Sequence, residues 1–118
     1  MRIVIGGSRN YNNYEYFAET LDHLLRDVAK NEITILSGHC KGVDMMAECY
    51  AKERGISLEL YPADWDAYGR AAGPMRNKIM VENCDLVIAF WDGSSKGTRS
   101  LIDYAIKQGR SHKIIGVN

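Results

Sequence analysis

The chain has few cysteines, only two prolines, no sustained apolar run and no surplus of either charge. Cys40, Cys49 and Cys84 are odd in number, widely spaced and without a C-x-x-C pair, so neither a disulfide framework nor a zinc knuckle is indicated. His39 with Cys40 and Cys49 lacks metal-ligand spacing, and no metal or other cofactor is expected. No stretch approaches the roughly 20 apolar residues that cross a bilayer. The N-terminus runs straight into a strand rather than a signal-peptide pattern, which leads to the expectation of a cytoplasmic protein with no membrane partner. Fifteen basic and fifteen acidic side chains cancel, leaving no global positive field, so a nucleic-acid partner is judged unlikely and any affinity for phosphate must be local. Nucleotide signatures are missing too. There is no G-x-G-x-x-G, and in Gly93-Ser94-Ser95-Lys96-Gly97-Thr98 the lysine precedes the second glycine, so this is not a P-loop.

What is present is a regular alternation of strands and helices. At 118 residues it fits one domain, 1–118. Arg2-Ile3-Val4-Ile5, Ile33 to Leu36, Ser57 to Tyr61, Leu86 to Phe90 and His112 to Val117 read as strands, the continuous apolar runs being of the kind buried on both faces. Helical spacing predicts helices from about Tyr14 to Lys30, around Met46 to Ala51 up to Gly55, from Pro74 to about Asn83, and through Leu101, Ile102, Ala105 and Ile106 to Gly109. Pro62 to Gly73 loses its periodicity and reads as a long connection carrying Trp65, Tyr68 and Arg70. The expected fold is α/β: a single Rossmann-like, doubly wound, mainly parallel five-stranded sheet with helices on both faces.

In such a sheet every strand-to-helix loop lies on one edge, where ligands bind. The residues expected there are Gly7, Ser8 and Arg9 after the first strand, and Gly38, Lys41, Gly42 and Asp44 after the second. Arg76 and Asn77 follow the long connection; Asp92, Gly93, Ser95, Lys96, Gly97 and Thr98 follow the fourth strand. Backbone amides of the two glycine loops can donate to phosphate, the hydroxyls of Ser8, Ser95 and Thr98 can add donors, and Arg9 and Arg76 can clamp an anion bidentately. Asp92 can accept from ribose hydroxyls, and Trp65 or Tyr68 can stack on a base. Two alternatives stay open: the Gly38–Gly42 loop as an ordinary βα turn, and Asp44 as nothing more than a helix cap. Cys40, lacking an adjacent base, reads as a small filler.

Gly7-Ser8-Arg9, Ser37-Gly38-His39-Cys40-Lys41-Gly42-Val43-Asp44, Gly73-Pro74-Met75-Arg76-Asn77 and Asp92 to Thr98 together resemble the motif set of the SLOG superfamily, in the branch typified by YspA. The resemblance implies a Rossmann-like fold related to the phosphoribohydrolases and to the DNA-processing relatives of that superfamily. Its ligand would be a nucleotide or nucleotide-derived signalling molecule, ADP-ribose-like or cyclic, held by a sensor or sequestering protein that forms homo-oligomers. The alternative is an enzyme cleaving the N-glycosidic bond of nucleotides, of phosphoribohydrolase or deoxyribosyltransferase type. That branch uses an arginine, which Arg76 matches, and a glutamate shortly after the Gly-Thr pair, for which Arg99, Ser100 and Leu101 offer no counterpart. No catalytic residue is therefore assigned.

Overall fold

The computed structural model describes all residues, 1–118, as a five-stranded, wholly parallel sheet in the order β3-β2-β1-β4-β5. The strands are β1 (Arg2–Gly7), β2 (Thr34–Ser37), β3 (Ser57–Leu60), β4 (Leu86–Trp91) and β5 (Ser111–Gly116); the helices are α1 (Tyr14–Leu24), α2 (Val43–Arg54), α3 (Trp65–Tyr68), α4 (Ala72–Glu82) and α5 (Lys96–Lys107). The expected α/β fold with a parallel five-stranded sheet is what forms.

Alternate residues of the central strands enter separate cores. Ile3 and Ile5 of β1, with Ile35, Ile88 and Phe90, pack under Phe17 and Leu21 of α1 and Val43, Ala47 and Tyr50 of α2. Val4, Leu36 and Val87 point the other way, onto Met80 and Val81 of α4 and Leu101 and Ala105 of α5. A strand pitch of two residues produces this division, and it explains why the β1 and β4 runs are apolar without alternation. The ring of Phe17 sits 4.7 Å from that of Phe90 and edge-on to Tyr50, fastening α1 and α2 to the sheet centre.

Three boundaries differ from expectation. α1 stops at Leu24, and Val28 reaches the core from the following turn, its amide bonded to the Leu25 carbonyl, instead of from a longer helix. The long connection is not irregular: Asp64 caps α3 by accepting from the Ala67 amide, Gly69 ends it at φ +53°, and a 3-10 turn over Gly69–Ala71 leads into α4. α4 thus begins before Pro74, which occupies its third position, where a missing N–H costs little. On α2, Tyr50 is buried and Met46 packs on the core, while Met45 is exposed.

The chain runs from β1 outward through β2 to β3, then crosses to β4 on the far side of β1. The reversal of winding lies between β1 and β4, and the crevice outside their C-terminal ends is where this architecture leaves room for a ligand.

Candidate functional site

A cavity of about 350 Å³ opens at that reversal, bounded by the end of β1, Cys40 and Asp44 at the entry to α2, the α3 segment, α4 and the start of α5. Four cations, Arg9, Arg70, Arg76 and Lys96, line it against a single carboxylate, Asp44. A chain of zero net charge thus carries a locally positive cleft.

The α5 side of the cleft is open. Ser95 caps the helix, its hydroxyl accepting from the Thr98 amide and lying 3.1 Å from the Thr98 hydroxyl. Lys96 and Gly97 follow as the first helical residues, and a Cβ at Gly97 or Gly93 would meet nothing within 4 Å. Orphan amides and the positive end of a twelve-residue helix therefore face the cavity with a lysine beside them.

Asp92, expected to receive a sugar, instead builds this turn. It accepts from the amides of Ser94 and Ser95 at 2.9 and 2.8 Å, and those bonds hold its carboxyl below the usual range. Its own amide donates to the Ser8 hydroxyl, so the buried Ser8 side chain fastens the β1 and β4 loops together. Neither Asp92 nor Ser8 lines the cavity.

The α2 side, which the two glycines mark out as a phosphate cradle, is filled by the protein itself. Gly42 has φ +76°, and a Cβ there would collide with the carbonyls of Ser8 and Arg9. The Val43 amide donates to the Ser8 carbonyl. Beside Gly38 the missing Cβ admits the Arg76 guanidinium, which donates to the Gly38 carbonyl, to the Tyr61 carbonyl at 3.2 Å and to Asn77 Oδ1 at 2.9 Å. Here glycine serves close internal packing. Gly38, Lys41 and Gly42 lie outside the cavity, and Lys41 is exposed.

α4 contributes one face: Gly73, Arg76, Asn77 and Met80, spaced three and four apart, all border the cavity. Asn77 joins the helices by donating to the Gly97 carbonyl at 3.2 Å. Gly73 seats the Trp65 indole, whose ring a Cβ would approach to 3.1 Å, and the Arg9 guanidinium stands 5.9 Å from the same ring. Trp65 and Arg9 thus form the outer rim, while Tyr68 is exposed and does not line the cavity.

Of the residues anticipated for the site, Gly7, Arg9, Asp44, Trp65, Arg76, Asn77, Ser95, Lys96, Gly97 and Thr98 meet in the cavity; Ser8, Gly38, Lys41, Gly42, Tyr68, Asp92 and Gly93 do not. Cys40, read as filler, lines it as well, with its sulfur 3.8 to 4.0 Å from nitrogens of Arg9 and Arg76. Ser100 lines the cavity too, its place one turn after Lys96 putting both on one helix face. Asp44 is almost fully buried: Oδ2 accepts from the Cys40 amide at 3.2 Å, and burial pushes its pKa up to about 6 against the pull of Arg76 and Arg9. No group of three His, Cys, Asp or Glu is placed to hold a metal ion, and no helix is long and apolar enough to cross a membrane.

Solved structures share this architecture. DNA processing protein A from Streptococcus pneumoniae superposes on 99% of this chain with a TM-score of 0.77 at 21% identity. The same protein from Helicobacter pylori, described by its single-stranded DNA binding mode, covers 100% with a TM-score of 0.72 at 21% identity. This chain spans 50% and 66% of those two proteins. The structural-genomics target TM1055 covers 94% at a TM-score of 0.70 and 20% identity, with 71% of its own length matched. The expectation from net charge that a nucleic-acid partner is unlikely is overturned by these neighbours: a protein of this fold is described as binding single-stranded DNA, and the balanced total conceals a cationic cleft. In sequence, the Gene 61 protein of Mycobacterium phage D29 is 33% identical over 115 residues, 92% of this chain and 90% of that protein. Residues 1–68 match the family model YAcAr, the YspA, cpYpsA-related SLOG family, and with its nucleotide-related binding fold the chain belongs to that family.

Proposed function

We propose that the cleft captures a nucleotide or nucleotide-derived molecule, ADP-ribose-like or cyclic, and that the protein works as a sensor or sequestering module. The observation that carries this reading is the open N-terminus of α5, with Ser95, Lys96, Gly97 and Thr98 facing a cavity that four cations line. Phosphate oxygens match that end, and the Trp65 ring at the rim matches a base. Mass spectrometry of molecules released by denaturing freshly purified protein tests it. A phosphorylated nucleoside derivative is expected at near-stoichiometric yield, or else binding of added nucleotides that Lys96→Ala weakens. Absence of both would contradict the reading.

A second reading, the binding of single-stranded nucleic acid, is favoured by the DNA-binding description of the Helicobacter pylori neighbour and by exposed Trp65 and Tyr68 near Arg9 and Arg70. It requires oligonucleotide affinity that falls steeply with salt, one power of ten or more across a few-fold change in concentration. For N-glycosidic cleavage the cavity offers one carboxylate, Asp44. Asp64 caps α3, Asp92 braces the turn before α5, and Asp103 faces Arg99 on the exposed side of α5. Sustained release of free base from nucleoside monophosphates would establish that activity.

A further inference from the structure

We propose that Asp44 is the sugar contact of the cleft, accepting hydroxyl donors of a ribose and so making the site prefer ribonucleotides to their 2′-deoxy counterparts. The inference rests on the cleft being a nucleotide site, as above.

Asp44 is 7% exposed, yet only one of its oxygens has a protein partner: Oδ2 takes the Cys40 amide, while Oδ1 accepts from no protein group and borders the cavity beside Gly6. No cation pairs with it. Arg76, its nearest candidate, is engaged by the carbonyls of Gly38 and Tyr61 and by Asn77. Two glycines of neighbouring strand ends flank the carboxylate, Gly38 at close range and Gly6 at ordinary contact distance. A Cβ at Gly38 would come within 2.9 Å of Oδ2, and one at Gly6 within 3.6 Å of Oδ1. Oδ1 is not sealed from the cavity, and the single backbone bond the carboxylate makes is one that a neutral asparagine makes equally well. The free oxygen is therefore an acceptor waiting for a donor.

The neighbours decide what kind. A carboxylate repels phosphate, so the anionic end of a ligand belongs at Lys96 and Thr98, away from Asp44. Trp65 takes the opposite end. The part of the ligand that meets Asp44 must be uncharged and rich in O–H donors, which describes the pentose of a nucleotide. A pair of adjacent hydroxyls presents two donors to the carboxylate; a 2′-deoxy sugar presents one, and leaves the buried charge less well met.

Calorimetric titration of the intact protein with AMP, GMP, CMP and UMP, each against its 2′-deoxy counterpart, tests this directly. The best ribonucleotide is expected to bind about tenfold more tightly than its deoxy partner. Asp44→Asn should reduce that ratio below about twofold, weakening the ribonucleotide, which offers two donors, more than its deoxy partner, which offers one. Equal affinity for both sugars in the wild type, or a ratio that survives in Asp44→Asn, would overturn the assignment and leave the nucleotide site standing. If no nucleotide of either series binds, the site itself fails and the assignment with it. Should Asp44→Asn not fold, the ribo-to-deoxy ratio of the wild type decides alone.

Discussion

Two helix N-termini lie on the same edge of the sheet, each with glycines and a lysine at its entry, and they have opposite fates. Before α2, the turn from Gly38 to Gly42 is packed against Ser8, Arg9 and Arg76, and its first amide is already bonded to the Ser8 carbonyl. At the entry to α5, neither Gly93 in the preceding turn nor Gly97 in the first turn of the helix has anything within reach of a Cβ. One turn is a joint and the other is a mouth. Glycine permits close approach in both, but what approaches is protein in the first and open cavity in the second.

The comparison can be broken by substitution. Gly42→Ala forces a Cβ into the backbone carbonyls of Ser8 and Arg9 at positive φ, and a loss of about 3 kcal/mol or more is expected in urea denaturation. A loss under about 1 kcal/mol would show that the joint is not tight.

Asp44→Asn should act in the opposite direction at neutral pH. The folded carboxyl titrates near 6, above its ordinary value, so its ionised form disfavours folding. This penalty is absent below about pH 4, grows as the pH rises through 6 and is complete above it. The variant should gain roughly 2 to 3 kcal/mol over the wild type at pH 8, and nothing at pH 3.5. A gain independent of pH would disconnect it from the buried charge.

Smaller effects separate the two lysines. Lys96→Ala should weaken nucleotide binding by about tenfold, whereas Lys41→Ala, outside the cavity, should leave it within about twofold. Equal losses would place the ligand between the two turns. Smallest of all, Gly97→Ala puts a better helix former at an unobstructed position and should stabilise the fold by about 0.5 kcal/mol, where the corresponding change at Gly42 destabilises it.

Much of the frame is legible in the residues. The apolar runs of β1, β2 and β4 and the helical spacing of Leu101, Ile102 and Ala105 lead to the right sheet, because burial on both faces leaves a strong local pattern. α3 was harder: four residues that bury none of their own side chains have no periodicity, although Asp64 and Gly69 mark its two ends. The site was legible in its edge and in its α4 face, and less so where a partner arrives from far away in sequence. Nothing near Gly38 reveals that Arg76, 38 residues on, occupies the space beside it. Asp92 looks like a ligand contact because the amides it binds, those of Ser94 and Ser95, carry no sequence signal. Total charge misled for a related reason, since an average erases the gathering of Arg9, Arg70, Arg76 and Lys96.

Amide chemical shifts recorded while a nucleoside 5′-monophosphate is added test the central claim most directly. The account predicts that the largest changes fall on Lys96, Gly97 and Thr98, on Gly6 and Gly7, and on the indole N–H of Trp65, while Lys41, Gly42 and Val43 barely move. Shifts centred on Lys41 to Val43, with the α5 turn silent, would contradict it.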